Sequence, residues 1–288
     1  MNSLMDNIKN LREITGAGFL DCKKALEENK NDIESSIDFL RKKGLAKANK
    51  KSSREAKEGA VGVYSTKDLT TIIQINTETD FAAKNEVFLN FMDKIGKYSV
   101  EFKNENYTLE DFKKSVFDGT SINDQFKDII SKIGENIILN KIQIIQNKDN
   151  DLISEYIHNN YRKNIGKIAV VLKTKVNKID EEVKQLGKNL CMHIAASKPL
   201  ALDIENLDPE LIKKEEAVQL ETIRSSGKPE NIIDKILIGK MKKFYSESTF
   251  LNQLYILDTD KTIKDILKDF SKNNQISILD YQMIFFDS

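Results

Sequence analysis

The sequence predicts an α+β protein: a small three-helix N-terminal module, a core of two related subdomains built on antiparallel sheets with packed helices, and a helical hairpin projecting from the second subdomain. Three observations predict it. Apolar residues recur at helical spacing through residues 4–44; short β-rich runs occur at 60–76 and again, in the same order, at 153–172; and residues 207–246 read as two helices joined by a tight turn. The expected boundaries are 1–55 for the N-terminal module and its linker, 56–147 for the first core subdomain and 148–288 for the second, with the hairpin inserted at about 207–246.

In the N-terminal module Met5, Ile8 and Leu11 share one helical face, Leu20, Ala25 and Leu26 a second, and Ile33, Ile37 and Leu40 a third. Thr15-Gly16-Ala17-Gly18 breaks the first helix from the second, Asn31-Asp32 offers a cap for the third, and Gly44 offers an end to it. Arg41 to Lys57 is rich in Lys, Ala and Ser with almost no large apolar residue, which reads as a linker. Ala60–Tyr64 and Thr71–Asn76 then form a hairpin about a Lys-Asp turn, followed by a helix presenting Phe88, Phe91, Met92 and Ile95, and a strand around Ile142–Ile145.

The order recurs with strands near Ile153–His158 and Lys167–Leu172 and a helix from about Asp180 to Ser197, a degenerate internal repeat. Asp208 caps and Pro209 opens the next helix, Ser225-Ser226-Gly227-Lys228 turns, and Pro229 opens its partner, whose Ile233, Leu237, Met241 and Phe244 form a narrow stripe. Gln275–Phe286 supplies a last strand.

Composition excludes several function classes. Of the 288 residues, 40% are hydrophobic and 31% charged, which suits a chain that buries one or more cores, and 45 basic side chains cancel 45 acidic ones, so no overall field draws it to nucleic acid or an anionic membrane. No apolar stretch approaches the roughly 18 residues of a membrane span, and the Met-Asn-Ser-Leu-Met-Asp start lacks a secretory pattern, so the expected location is the cytoplasm. Cys22 and Cys191, far apart in helix-like contexts, are expected as buried thiols.

No catalytic or metal constellation is expected. Ser226-Gly227-Lys228-Pro229 is the nearest approach to a phosphate loop, but Pro229 replaces the metal-binding hydroxyl and no strand precedes it. His158 and His193 have no Cys or second His at ligand spacing. His193, within Cys191-Met192-His193-Ile194-Ala195-Ala196, reads as a packed core histidine, and His158, among polar residues at a strand end, as an exposed turn residue.

The most informative stretch is Asn76-Thr77-Glu78-Thr79-Asp80-Phe81-Ala82-Ala83-Lys84-Asn85, which joins strand to helix. Thr79 or Asp80 can simply cap the helix while Phe81 staples its first turn against the sheet. Alternatively, the small alanines leave the Phe81 ring uncrowded and projecting, as an aromatic anchor for a partner's pocket. The residues alone leave both readings open.

Thr79-Asp80-Phe81-Ala82-Ala83-Lys84-Asn85 resembles the Thr-Asp-Phe-Val-Ala-Lys-Asn signature of the elongation factor Ts family. Leu11–Leu26 resembles that family's N-terminal module, a ubiquitin-associated-type three-helix fold, and Lys132-Ile133-Gly134-Glu135-Asn136 and His193–Pro199 add two further matches in the same order. Ala82 departs from the usual Val, and Phe19-Leu20 from a common pair of methionines.

The resemblance implies a guanine nucleotide exchange factor for the GTPase elongation factor Tu, acting by binding rather than by covalent chemistry and needing no cofactor of its own. Thr79, Asp80, Phe81 and Ala82 become the partner-binding and magnesium-dislocating element, with Arg12, Leu20, Ile133, Gly134 and His158 as further contacts. The 207–246 hairpin resembles the family's projecting coiled coil, although its stripe also suits packing within the chain. Two other functions stand beside this one. The three-helix module alone suits a non-catalytic adaptor, and the basic run Arg41-Lys42-Lys43, Lys47, Lys50-Lys51, Arg54 and Lys57 suits an RNA-associated ribosomal factor.

Overall fold

A computed structural model describes residues 3–102, 107–148, 151–227, 229–272 and 274–286, and only the backbone of 45–49. Lys228, in the expected hairpin turn, and the Lys47 side chain, in the basic run, lie outside what is described. The chain is mixed helix and antiparallel sheet and divides into two compact units, residues 1–146 with 157–169 and 284–288, and residues 147–156 with 170–283.

The first unit begins with helices α1 (Leu4–Thr15), α2 (Phe19–Glu28) and α3 (Ile33–Lys51). Ser3 and Asp6 form a reciprocal capping box on α1, and Gly16 ends it at φ 67°, a conformation that favours glycine. Ile8, Leu11, Cys22, Ala25, Leu26 and Leu40 form the module's core. Gly44 does not end the third helix as the sequence suggests, and the expected linker is helical as far as Lys51. The reason is packing: a Cβ on Gly44 would lie 2.5 Å from Ser131 Oγ, so this glycine permits close approach of α3 to a later helix, and the Lys- and Ala-rich continuation has good helix propensity.

Strands β1 (Glu58–Ser65) and β2 (Leu69–Thr77) form the expected hairpin, with Gly62 opposite Ile73. Helices α4 (Asp80–Ala83) and α5 (Glu86–Glu101) follow; then α6 (Leu109–Lys114), the two-residue strands β3 (Val116–Phe117) and β4 (Thr120–Ser121), α7 (Ile122–Ile133) and β5 (Ile137–Gln146). The elements from α6 to α7 are not among those expected from the sequence, although Ile122, Phe126, Ile129 and Ile130 of α7 are buried at helical spacing. With β7 (Ile165–Gly166) the sheet order is β5-β2-β1-β7. All of β2 is buried, and Ile73, Ile75, Phe88, Met92 and Ile95 share one core with α7.

The second unit is built on a three-stranded sheet in the order β11-β8-β6, where β6 is Asp151–His158, β8 Ile168–Val176 and β11 Ile276–Phe285. Helix α8 (Glu181–Ser197) is capped by Asp180. In the hairpin, Asp208 caps α9 (Pro209–Ser225), and Pro229 is the N-cap of α10 (Glu230–Ser248). Ile223, Ile233 and Met241 are buried, and Lys240 donates to Gln219 across the pair at 2.8 Å, so much of the stripe packs within the hairpin. The small strands β9 (Leu254–Tyr255) and β10 (Asp258–Thr262) and helix α11 (Ile263–Phe270), all missed in the sequence, complete the unit. Both cysteines are buried free thiols, and no described helix is long and apolar enough to cross a membrane.

Candidate partner-binding site

The segment from Asn76 to Asn85 turns the chain from a buried strand to a core helix, and it does so in two capped steps. Thr79 Oγ1 accepts from the Ala82 amide at 3.3 Å and so caps α4, a single turn. Asn85 Oδ1 then accepts from the Val87 amide at 2.8 Å and caps α5. Ala82 and Ala83 are buried beneath the short turn, whereas the Phe81 ring is 82% exposed. A stapled Phe81 is therefore not what the fold contains. Burial of Ala82, 5% exposed, gives its methyl a seating role beneath α4, so the area lost relative to valine falls on the unit's own packing.

Asp80, beside the ring, is ion-paired with Lys84 at 2.8 Å. The Lys84 hydrogen bond holds the Asp80 carboxyl below its ordinary value and raises the ammonium in turn. A carboxylate and an aromatic ring thus stand side by side at the start of a capped turn.

Two carboxylates from sequence-distant positions hold this turn. Thr79 donates its amide to Glu135 Oε2 at 3.0 Å and its hydroxyl to Glu135 Oε1 at 2.8 Å. In the reverse direction the Asn136 amide donates to Glu78 Oε1 at 2.6 Å. Gly134, at φ 88°, ends α7 and lets the chain turn into this crossed pair. Asn136 is itself buried and donates its side-chain amide to the Arg54 carbonyl at 2.7 Å, Arg54 reaches Glu78 at 3.5 Å, and Lys51 donates to the Gly134 carbonyl. The Thr79 and Lys132–Asn136 motifs, separate in the sequence, are therefore one structural knot.

The segment containing His158 is fastened nearby. Arg162 donates to Asp93 at 2.7 Å, Glu86 at 2.5 Å and Asn90 at 2.8 Å, holding this segment to α5, while Lys84 lies 6.0 Å from the Tyr161 ring centroid. His158 is exposed, as its sequence context suggests, and its carbonyl accepts from the Lys167 amide at 3.0 Å. Ile133 and Gly134 are half-buried. Arg12 and Leu20 are exposed on the N-terminal module, Leu20 by 78%. The module's Gly16 lies beside Lys132 of α7, where a Cβ would sit 3.8 Å from Lys132 Cγ.

His193 is fully buried: Nε2 faces Gln253 Oε1 at 2.9 Å and Nδ1 accepts from the Ile256 amide at 3.3 Å. This is the packed core histidine expected from the sequence. Sequence reasoning gave no role to Glu78, Glu135, Arg54 or Arg162; the first two stand within quoted stretches, but a pairing across 56 positions leaves no periodic signal.

Comparison with known proteins makes the chain a translation elongation factor. The sequence profile of the family described as elongation factor TS matches residues 78–284. The chain is 38% identical over 267 residues to elongation factor Ts of Sinorhizobium fredii, covering 92% of this chain and 86% of that protein. It is 40% identical over 267 residues to elongation factor Ts of Rhizobium etli (92% and 85% covered), and 37% identical over 261 residues to that of Gluconobacter oxydans (91% and 85%). The chain belongs to the elongation factor Ts family.

Proposed function

We propose that the chain is a guanine nucleotide exchange factor that binds elongation factor Tu carrying GDP, displaces its magnesium ion and accelerates GDP release so that GTP can bind. The observation that carries this reading is the exposed Phe81 ring on a turn capped by Thr79, next to an ionised Asp80. An exposed aromatic on a rigid element loses little conformational entropy on entering a pocket and buries a large apolar area there.

In this reading Phe81 wedges into the partner's GTP-binding domain, and Asp80 disturbs the groups that hold the magnesium. Thr79 caps and Ala82 seats the turn that carries them. Arg12, Leu20, Ile133, Gly134 and His158 add contacts over a wider surface. Magnesium offsets the charge of the diphosphate, so its displacement weakens GDP binding without contact between this chain and the nucleotide. Linkage makes the effect reciprocal: a factor that weakens GDP binding is itself bound more weakly when GDP is present, so the complex is an intermediate that GTP resolves. The protein supplies no covalent chemistry and needs no cofactor of its own.

Stopped-flow measurement of fluorescent GDP leaving elongation factor Tu tests the reading. The unaltered chain is expected to accelerate release, and Phe81→Ala to lose most of that acceleration while remaining folded. Undiminished exchange by Phe81→Ala would remove the anchor role.

A further inference from the structure

The Phe81 ring is not held by packing of its own, and one helical turn in isolation does not persist, because nucleation fixes several dihedrals for a single hydrogen bond. Something else must keep α4 in register. Buried Ala82 and Ala83 seat it from below, and at its start everything converges on Thr79. That residue's hydroxyl accepts from Ala82 and donates to Glu135, while its amide donates to the other oxygen of the same carboxylate. Thr77 adds a bond from its hydroxyl to the Thr79 carbonyl at 2.7 Å.

We propose that Glu135 is a positioning residue for exchange, acting through Thr79 to hold Asp80 and Phe81 where a partner meets them; this rests on the exchange-factor reading above. Three observations carry it. Both Glu135 oxygens are engaged by the one residue that caps α4, at 2.8 and 3.0 Å, a two-point grip that fixes orientation as well as distance. Glu135 is itself held, since Gly134 ends α7 just before it and the amide of Asn136 just after it is taken by Glu78. And the knot extends to Lys51 and Arg54 at the end of α3, so the grip is anchored to the unit's framework rather than to a mobile loop.

Glu135 would touch neither nucleotide nor magnesium, so its loss has a distinct signature. Contacts spread over other segments would still bring the partners together, but a misplaced α4 would act less often once bound. For Glu135→Ala the maximal rate of GDP release from elongation factor Tu should fall about tenfold, while the concentration giving half-maximal rate changes by less than about threefold. Glu135→Gln, which keeps the volume and one carbonyl acceptor, should lie between this and the unaltered chain and covers the case in which the alanine variant does not fold. The double variant Thr79→Val with Glu135→Ala should be no slower than the slower single variant, because both remove the same grip. Full maximal rate in the Glu135 variants, or losses that multiply in the double variant, would overturn the inference while leaving the exchange function standing. No acceleration by the unaltered chain would overturn the function and the inference with it.

Discussion

The two halves of the core solve one local problem, turning a strand into a helix, with very different amounts of machinery. In the second half β8 ends at Val176, four residues follow, and Asp180 accepts from the Val183 amide at 3.0 Å to start a 17-residue helix. One carboxylate suffices. In the first half β2 ends at Thr77, yet α5 does not start until Glu86; between them stand two caps and an extra turn, braced by the crossed glutamates Glu78 and Glu135. The added parts leave a phenylalanine in water, forgoing about 2 kcal/mol of burial. Folding alone does not require this arrangement, since the other half folds without it. On the exchange-factor reading proposed above, the elaboration serves to present Asp80 and Phe81 to a partner.

The largest expected effect tests that contrast directly. Ile179 is the second half's exposed apolar residue just before its cap, at 47% exposure. Phe81→Ala should slow catalysed GDP release at least about 30-fold, the size of an interface anchor, while shifting unfolding stability by less than about 0.5 kcal/mol. Ile179→Ala should leave exchange untouched, and an equal loss from both would break the comparison. Next in size is Asn136→Ala. It removes a buried side-chain amide that donates to the Arg54 carbonyl, with a longer bond to Ser52, and should lower stability by about 2 kcal/mol in urea titration. It should also speed hydrogen exchange across 78–85 but not across 177–183.

Much of this contrast was legible in the sequence. Asp208 and the Gly16 break announce themselves because a cap is a local event, written within three or four residues of where it acts, and the helix expected from about Asp180 begins there. The Thr79–Asn85 stretch was legible as a site through its resemblance to a family signature, but its residues alone fitted a stapled Phe81 equally well. Exposure of the ring depends on Ala82 and Ala83 turning inward, a tertiary outcome. Gly44 was misread for the same reason: a glycine allowing close approach to Ser131 looks, in sequence, like one ending a helix. The Glu78–Asn136 and Thr79–Glu135 pairings and the Arg162 cluster join positions dozens of residues apart, and neither periodicity nor propensity encodes partners at that range. Helix α7 has ample periodicity in Ile122, Phe126, Ile129 and Ile130, but it interrupts the repeated strand–strand–helix order and so falls outside the expected elements.

Acid should separate the halves as well. Burial depresses the His193 pKa from its ordinary 6.5, against the opposing hydrogen bond that Nε2 donates to Gln253 Oε1, and the imidazole is neutral in the fold with its Nδ1 lone pair accepting from Ile256. The unfolded chain takes up a proton below 6.5 that the folded chain resists. The second unit therefore keeps its full stability above that value and loses it as pH falls from there through the folded-state pKa, by at most about 1.4 kcal/mol per pH unit. Thermal unfolding at pH 7.5 and 5.0 should show this loss in the unaltered chain. In His193→Gln the pH difference should shrink, although the variant is less stable at pH 7.5.

The smallest effect sharpens the comparison most, because it equalises the energetic cost and leaves only function to differ. Thr79→Val and Asp180→Ala each delete a capping oxygen, and each should cost about 1 kcal/mol of stability. For Asp180 the loss stays local: the cap bond to the Val183 amide goes, with a long, exposed ion pair to Lys178 at 3.8 Å. For Thr79 the same deletion also releases one oxygen of Glu135 and loosens the turn that carries Asp80 and Phe81. Exchange should therefore slow in the threonine variant and stay unchanged in the aspartate variant at matched stability. If both variants slowed exchange alike, the cap at Thr79 would be an ordinary helix start, and the first half's extra machinery would need another explanation.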